Sequence, residues 1–497
     1  MTWGHVYRKC PPAVASARKW RRDGQDAMTG SADMTSDLPR AFWAALEDLP
    51  PLAVLRGVDC DRHAADATGN ISQVPEAVFR PATTAELSRI MATCSAHGVP
   101  MVVQGGLTGL SNGATPCAGE VAISLERMNV LGAVDPVSAT VCAGAGVTLQ
   151  RVQDAAAAEG LSFGVDIGAR GSATVGGLAA TNAGGLNVIQ RGMMRAHVVA
   201  LEVVLADGRV LGHVRPLAKD NSGFDLKQLF IGSEGVLGVI TRLCLALRPA
   251  PGPQQTLFAA APDMPAAAAL LARLRRRAPG PVTAFEVLDE AIFALILEQG
   301  HRPPFAPEGI QVLAEVETAQ AEPLQALLME ALEAGEISDV TLAASGQQAA
   351  ALWALREGCG EAVAAMRAPI GFDIGLPVAA MPAFLYDTRA ALAEMPETHP
   401  AVFGHLGDGN LHYIVDTPDH ARAAEIVLGA VARAGGAISA EHGLGREKPG
   451  YLPLVRSPEE LAVMRGLKTL LDPAGLLNPG RMLPDEPTLS PLFPLTK

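Results

Sequence analysis

The stretch Val102-Val-Gln-Gly-Gly-Leu-Thr-Gly-Leu-Ser-Asn-Gly-Ala-Thr115 begins with the residues of a β-strand and continues as a loop that contains four glycines. Because glycine has no side chain, consecutive backbone N–H groups in such a loop can approach an anion, and the hydroxyls of Thr108 and Ser111 add donors. A diphosphate would suit this loop. The loop alone has a second interpretation, a glycine-rich turn between two strands.

A second glycine-rich segment, residues 166–185, favours the first interpretation. It holds six glycines together with Ser172, Thr174, Thr181 and Asn182, which is more than one turn requires. The sequence has neither GxxxxGK[ST] nor a complete GxGxxG after a strand, so the P-loop and Rossmann interpretations lose their strongest support. Two separate loops of this kind indicate one long cofactor.

Composition limits the class of protein. A chain of 497 residues, of which 49% are hydrophobic, can form two or three domains. A net charge of −13 offers no basic surface for nucleic acid, so we exclude that partner. The seven cysteines include no CxxC pair, which is typical of reduced thiols and predicts a cytoplasmic protein. No apolar run is long enough to span a bilayer, which leaves peripheral membrane attachment open.

The order of the patterns predicts an α+β protein. Strand and helix patterns alternate over residues 41–250, which we interpret as one domain of two α/β lobes. Arg248-Pro-Ala-Pro-Gly-Pro253 breaks regular structure and marks a boundary. Residues 251–430, rich in alanine and leucine, are predicted to form a second domain with helices on a sheet. Residues 431–483 form a C-terminal segment.

Three further expectations concern the ends of the chain and one helix. Residues 1–40 are basic and poor in aliphatic side chains, so we expect a disordered tail, with Met28 or Met34 as alternative starts. Residues 484–497 are a second tail. Within the second domain, the alanine-rich pattern over residues 347–366 predicts one helix.

His405-Leu-Gly-Asp-Gly-Asn-Leu-His412 places two imidazoles seven residues apart around a turn. In a hairpin this turn would let both side chains converge on one point. Glu441, which precedes His442, can add an oxygen ligand. Two imidazoles and a carboxylate with one open position suit Zn²⁺, or Mn²⁺, in a catalytic site. Either histidine taken alone is more often a hydrogen-bonding residue than a ligand.

These motifs together resemble a flavoprotein family. The 104–115 loop, Thr181-Asn-Ala-Gly-Gly185 and Phe230-Ile-Gly-Ser-Glu-Gly-Val-Leu-Gly-Val-Ile240 are similar to the FAD-binding domain of the vanillyl-alcohol oxidase superfamily. The resemblance is strongest to FAD-linked D-2-hydroxyglutarate, D-lactate and glycolate dehydrogenases, and it extends over residues 60–483. It implies a two-lobed FAD domain of the p-cresol methylhydroxylase (PCMH) type, a cap domain with an antiparallel sheet, and a C-terminal segment that returns to the flavin.

The resemblance implies that the FAD diphosphate lies on residues 104–110. It also implies noncovalent FAD, because covalent attachment in this superfamily usually needs a histidine or a cysteine and this loop has neither. The residues expected to surround FAD are Gln104, Gly105, Gly106, Leu107, Thr108, Gly109, Leu110, Gly144, Asp166, Ser172, Thr174, Gly176, Gly177, Thr181, Asn182, Gly184, Gly238, Ile240 and Asn478.

The resemblance also implies roles around the metal. His405, His412 and Glu441 match the family's metal ligands. A bound cation lowers the pKa of an α-hydroxyl, which allows a hydride to leave the carbon for the flavin. His442 is the candidate base that contacts the substrate and takes the hydroxyl proton. Its alternative role is to orient Glu441.

Arg356 resembles the arginine that binds the substrate carboxylate in this family, since a planar guanidinium matches a carboxylate with two hydrogen bonds. The alternative is a surface arginine paired with Glu357 or Glu361. An external electron acceptor, such as a quinone, a cytochrome or an electron-transfer flavoprotein, is implied as well. A homodimer is compatible with the sequence.

Three positions bear on the substrate. Where the D-2-hydroxyglutarate enzymes carry a threonine, a lysine and an asparagine, this chain has Gly360, Gly371 and Ile414. A second carboxylate buried without a partner costs roughly several kcal/mol. The sequence therefore favours a monocarboxylic D-2-hydroxy acid, such as D-lactate or a longer-chain relative.

Four alternatives stay open at this point. The chain could be a D-2-hydroxyglutarate dehydrogenase, or a flavin-carrying subunit of a larger glycolate-dehydrogenase-like complex. An enzyme like alkylglycerone-phosphate synthase and an aryl-alcohol oxidase share the FAD domain, but neither has an evident need for the two histidines and the glutamate. A bound metal would discriminate against the last two.

Overall fold

The computed structural model describes residues 38–217 and 219–484. The alternative starts, most of the expected N-terminal tail and nearly all of the C-terminal tail lie outside these residues. The predicted α+β class is confirmed, with helices packed on mixed and antiparallel sheets. No helix in the described part of the chain is both long and apolar enough to cross a bilayer.

The helices, in chain order, are α1 (Arg40–Ala44), α2 (Thr84–His97), α3 (Leu149–Ala158), α4 (Val175–Thr181), α5 (Val188–Arg191), α6 (Lys227–Phe230), α7 (Met264–Arg277), α8 (Glu290–Glu298), α9 (Ala321–Glu333), α10 (Gly346–Glu357), α11 (Cys359–Ala364), α12 (Met381–Leu392), α13 (His420–Arg433) and α14 (Pro458–Leu471). The strands are β1 (Val54–Arg56), β2 (Ala77–Phe79), β3 (Met101–Gln104), β4 (Val121–Ser124), β5 (Leu131–Asp135), β6 (Thr140–Gly144), β7 (Leu161–Ser162), β8 (Val198–Val204), β9 (Val210–Gly212), β10 (Val239–Ala246), β11 (Arg248–Pro249), β12 (Gln254–Ala261), β13 (Val282–Leu288), β14 (Ile310–Glu317), β15 (Asp339–Leu342), β16 (Pro369–Gly375), β17 (His399–His405) and β18 (Asn410–Asp416).

Two sheets form the N-terminal half. The first has the order β1-β2-β4-β3 with parallel β2–β4 and β3–β4 pairs, and the second is an antiparallel sheet in the order β5-β6-β10-β8-β9. Both contribute to one hydrophobic core, so the two lobes pack as a unit. The helix α2 between β2 and β3 is preceded by Thr83, whose hydroxyl accepts a hydrogen bond from the N–H of Glu86, and is followed by Gly98, which has a positive φ.

A seven-stranded antiparallel sheet forms the second half, in the order β15-β12-β14-β13-β17-β18-β16. Its two faces bury different clusters: α7, α9, α12 and α13 cover one face, and α8, α10 and α11 cover the other. The antiparallel cap sheet is thus as predicted. The single helix predicted over residues 347–366 is wrong, because the chain bends at Gly358 and forms α10 and α11.

After α14 the chain returns to the first sheet. The N–H of Met101 donates to the carbonyl of Leu476, and Leu477 is fully buried in the core of the N-terminal half. Asn478 continues the contact, since its Oδ1 accepts from the N–H of Val103 and its Nδ2 donates to the carbonyl of Glu234. These bonds fasten the C-terminal segment to the strand that precedes the first glycine-rich loop.

Candidate active site

The hairpin of β17 and β18 brings the two predicted imidazoles together. Its register pairs His405 with Asn410 and Phe403 with His412. Residues opposite one another in an antiparallel pair share a face, and so do residues two apart in a strand. His405 and His412 are therefore diagonal neighbours on one face, and their Nε2 atoms lie 3.4 Å apart.

The strands beside this hairpin place a carboxylate next to each imidazole. Glu286 on β13 is opposite His405, and Asp373 on β16 is opposite His412. Both carboxylate side chains are almost fully buried. Because each is remote in sequence from its histidine, neither was expected from the motifs.

Glu286 bridges the metal motif and the predicted substrate arginine. Its Oε1 is 2.7 Å from Nδ1 of His405, and its Oε2 accepts a 2.7 Å bond from Nε of Arg356. Burial opposes charge on the His405 imidazole, but the charge and hydrogen bond of Glu286 outweigh it and raise the pKa of His405 to about 9. Burial likewise opposes ionisation of Glu286, yet His405 and Arg356 hold the pKa of this carboxyl below its usual value.

Glu441 joins the same point from the C-terminal segment. Its Oε1 accepts a 2.8 Å bond from the N–H of Gly185, at the end of the second glycine-rich segment. Donor atoms of His405, His412 and Glu441 all lie within 4.8 Å of one another. The three predicted ligands thus converge, and Glu441 also contacts the N-terminal half of the molecule.

These three residues fit a divalent cation. Two nitrogen ligands of a tetrahedral zinc ion, with Zn–N bonds of about 2.1 Å, are about 3.4 Å apart, which matches the two Nε2 atoms. Metal-bound histidines usually place the other ring nitrogen against a carboxylate or carbonyl, as His405 does with Glu286. Burial and the neighbouring His405 hold the pKa of His412 well below its ordinary value. Because Glu286 raises the pKa of His405, a cation bound there would displace the proton of that imidazole.

A second set of donor atoms, from Asp373, His412 and His442, is equally compact. Its carboxylate is already occupied: Oδ1 of Asp373 accepts from Asn410, and Oδ2 accepts from the backbone N–H groups of residues 440–442. Few lone pairs are left for an ion. The set that contains Glu441 is therefore the better metal site.

His442 lies beside the ligands without joining them. Its ring is nearly parallel to that of His412, with an interplanar angle of 18° and centroids 5.8 Å apart. Nδ1 of His442 is 4.0 Å from Oδ2 of Asp373, which is too far for a hydrogen bond. Nδ1 is therefore the ring nitrogen that lies beside the carboxylate.

The two glycine-rich segments contact each other directly. A Cβ on Gly106 would lie 2.0 Å from the carbonyl oxygen of Ser172, and one on Gly105 would lie 2.7 Å from Oγ1 of Thr174. Within residues 38–217, none of the N–H groups of residues 105–110 donates a hydrogen bond to another protein atom. Six adjacent free donors fit an anion such as a diphosphate.

Several predicted FAD residues instead use their side chains within the protein. Gln104 bonds to His63 and to the carbonyl of Ala114, and Asp166 accepts from Gln153 and Arg170. The remaining positions lie around the two segments or in the adjoining core. Thr174 and Asn182 cap α4, which contains Gly176, Gly177 and Thr181. Gly144 lies close to the backbone of residue 128, and a Cβ on Gly184 would lie 3.0 Å from Oε1 of Glu441. Gly238 and Ile240 are buried beside β8. Leu107 has a positive φ, and Thr108, Gly109 and Leu110 complete the loop.

Arg356 is buried on α10, with its guanidinium 4.9 Å above the ring of Phe403. It pairs with Glu286 rather than with Glu357 or Glu361. The three positions that bear on the substrate lie nearby. Gly371 and Ile414 are opposite one another on β16 and β18, two residues from Asp373 and His412, and Gly360 is on α11, which covers the same face.

Comparison with known proteins identifies the family. Residues 75–212 match the FAD binding domain family, and residues 250–482 match the FAD linked oxidase C-terminal domain family. The chain is 38% identical over 454 residues to D-2-hydroxyglutarate dehydrogenase of Xanthomonas citri pv. viticola, which covers 87% of this chain and 95% of that protein. The mitochondrial D-2-hydroxyglutarate dehydrogenase of Arabidopsis thaliana is 36% identical over 419 residues, which covers 81% of this chain and 74% of the plant protein.

Solved structures show the same fold at low sequence identity. Substrate-bound p-cresol methylhydroxylase superimposes with a TM-score of 0.71 at 16% identity, covering 89% of this chain and 96% of that one. An alkyldihydroxyacetonephosphate synthase gives 0.67, also at 16% identity, covering 89% and 86%. The PCMH-type fold is therefore confirmed. Together with the sequence matches, this establishes that the chain belongs to the FAD-linked D-2-hydroxyacid dehydrogenases.

Proposed function

We propose that this dehydrogenase oxidises a monocarboxylic D-2-hydroxy acid, of the D-lactate type or with a longer apolar chain, at a Zn²⁺ or Mn²⁺ ion held by His405, His412 and Glu441. The observation that carries the proposal is the pairing of Gly371 with Ile414 on the sheet face that bears the ligands. By resemblance, the D-2-hydroxyglutarate enzymes carry a lysine and an asparagine at these two positions.

The residues divide the work of the reaction. When bound, the flavin accepts a hydride and the cation acts as a Lewis acid on the α-oxygen. Arg356 orients the substrate carboxylate, and its bond to Glu286 fixes the plane of its guanidinium. His442 accepts the hydroxyl proton at Nε2, since its Nδ1 edge faces Asp373.

The surroundings disfavour a second substrate carboxylate. Glu286, Asp373 and Glu441 already place three carboxylates at this site. Ile414 is buried in an apolar cluster with Phe403 and Leu355, and glycine at 371 adds no donor. An unpaired carboxylate placed here would lose its hydration without a compensating bond, which costs roughly several kcal/mol.

D-2-hydroxyglutarate is the second candidate substrate. The names of the similar proteins from Xanthomonas citri and Arabidopsis thaliana favour it. Arg356 would then have to serve one carboxylate, with the cation serving the other. The two candidate substrates differ at their far end: D-2-hydroxyglutarate needs a partner for a second carboxylate, and a monocarboxylate needs an apolar surface.

A panel of 2-hydroxy acids tests the proposal. D-lactate, D-2-hydroxyisocaproate, D-2-hydroxyglutarate and their L-isomers are mixed anaerobically with the purified enzyme, and bleaching of the flavin is followed with and without a chelator. We expect the D-monocarboxylates to give the larger kcat/KM and the chelator to abolish bleaching. A larger kcat/KM for D-2-hydroxyglutarate would overturn the substrate assignment, and chelator-resistant turnover would overturn the metal assignment.

A reversal of specificity gives a second test. The φ of Gly371 is outside the left-handed region, so the backbone there does not require glycine. In the Gly371→Lys/Ile414→Asn variant we expect kcat/KM for D-2-hydroxyglutarate to rise about tenfold, since a charged hydrogen bond contributes about 1.5–3 kcal/mol. Ile414→Val is the matched control and should leave the preference unchanged.

A further inference from the structure

The loop that carries Glu441 and His442, residues 439–445, is held at its first half by one buried carboxylate. Oδ2 of Asp373 accepts hydrogen bonds from the N–H groups of residues 440, 441 and 442, at 3.1, 2.8 and 2.8 Å. Its Oδ1 accepts a 2.8 Å bond from Nδ2 of Asn410. Asp373 belongs to the cap sheet, so these bonds fix the loop to the sheet face that bears the two histidines.

A second carboxylate holds the other half of the loop from the N-terminal half of the molecule. Oε1 and Oε2 of Glu234 accept 2.7 Å bonds from the N–H groups of Leu444 and Gly445. Glu234 has a φ of 51°, a conformation that costs a non-glycine residue about 1 kcal/mol or more and persists only where surrounding contacts impose it. Asn478 supplies one such contact by donating to the carbonyl of Glu234.

One cation lies among these carboxylates. Lys448 donates to the hydroxyl of Ser439, and it experiences the charges of Asp373, Glu234 and Glu447. Ionised carboxylates accept backbone N–H bonds about twice as strongly as neutral groups do, and a nearby cation keeps such a cluster from being an uncompensated buried charge. Five consecutive or nearly consecutive N–H groups of one short loop are thus held by two carboxyl groups.

We propose that Asp373 and Glu234 are positioning residues that together set the place of Glu441 and His442 between the cap sheet and the flavin-binding half. Each carboxylate anchors the loop to a different half, and Glu441 itself bonds to Gly185 of the flavin-binding half. The geometry of the hydride transfer is sensitive to such an anchor, because a shift of about 1 Å can cost about a hundredfold in rate. The catalytic part of this inference rests on the proposed roles of Glu441 and His442.

The bonds from Asp373 and Glu234 to the loop are called the clamp below, and Asp373→Asn and Glu234→Gln are the clamp variants. Hydrogen exchange measured by mass spectrometry on the full chain tests the clamp itself. Asp373→Asn should speed exchange at residues 440–442, and Glu234→Gln should speed it at 444–445, each roughly 10- to 100-fold. The matched controls are Asp289→Asn and Asp472→Asn, which remove buried carboxylates that also accept backbone N–H bonds but do not contact the loop. Unchanged exchange over residues 440–445 in both clamp variants would overturn the proposal.

Kinetics and metal binding test the positioning role. In the clamp variants we expect kcat to fall at least tenfold with KM changed less than about threefold, because Arg356 still binds the carboxylate. We also expect weaker Zn²⁺ binding in equilibrium dialysis, whereas FAD content should match the control variants. A fall in kcat no larger than in the controls would overturn the positioning role. If no hydroxy acid reduces the wild-type flavin, the proposed function is wrong. Hydrogen exchange and Zn²⁺ affinity would then still show whether Asp373 and Glu234 position the loop.

Discussion

The two halves of the active site are built by different means. On the flavin side, the loop at 105–110 offers backbone N–H groups, and glycine is required at 105 and 106 because the neighbouring segment at 172–177 lies too close for a Cβ. At the proposed metal site, His405, His412 and their carboxylate partners lie on one face of four adjacent strands, and Glu441 joins them from a loop. Substitutions in the flavin half should therefore act by steric overlap. Substitutions at the proposed metal site should act by removing charge or ligand atoms, with the fold intact.

Removal of a proposed metal ligand should have the largest effect. For Glu441→Ala or His405→Ala we expect kcat to fall about a thousandfold or more, or ~4 kcal/mol, because the α-hydroxyl would lose the proposed Lewis acid. FAD content should not change. Turnover with a dye acceptor measures kcat, metal analysis of the purified protein measures the bound ion, and flavin absorbance measures FAD content. His399→Ala, an exposed histidine at the other end of β17, is the control, and equal losses in control and ligand variants would contradict the assignment.

Glu286, which joins the proposed ligand His405 to Arg356, should be the next most sensitive feature. In Glu286→Gln, both His405 and Arg356 lose a charged acceptor, so we expect metal affinity and kcat/KM to fall about 10- to 100-fold. Glu315→Gln is the matched control, because this glutamate on β14 accepts only neutral donors, from Trp353 and Thr256. A drop of the same size in the control would indicate general damage to the sheet.

This contrast also explains what could be predicted from the sequence. The glycine-rich loop and the convergence of His405 and His412 are local patterns, since a turn of four residues separates the two strands. Glu286 is 119 residues from His405 and was missed, because only strand register brings them together. Asp373 was missed for the same reason. Glu234 lies in a turn between α6 and β10, and only the packing of the C-terminal segment brings residues 444 and 445 to it. The break between α10 and α11 was also missed: Gly358 and Gly360 were a signal for it, but the alanine-rich helical pattern on both sides outweighed them in the prediction.

The flavin half can be disrupted by a single methyl group. In Gly106→Ala the new Cβ would lie 2.0 Å from a backbone carbonyl, so one segment must move. We expect a loss of about 1–3 kcal/mol in the free energy of unfolding of the FAD-free protein, together with lower FAD content. Urea unfolding and the ratio of flavin to protein absorbance measure these effects. Full FAD content in this variant would mean that the contact between the two segments does not shape the cofactor site.

The smallest expected effect comes from a glycine of the same half that has no such neighbour. Gly168 is exposed, its φ is outside the left-handed region, and a Cβ there would meet no atom within 4 Å. Gly168→Ala should therefore raise the free energy of unfolding by about 0.4–1 kcal/mol, since alanine restricts the unfolded chain, and FAD content should not change. Loss of FAD from this variant would place Gly168 against the cofactor. The free energy of unfolding is thus expected to fall for Gly106→Ala and to rise for Gly168→Ala. This result would show that the flavin half requires a glycine where neighbouring atoms leave no room for a Cβ, and not wherever a loop contains one.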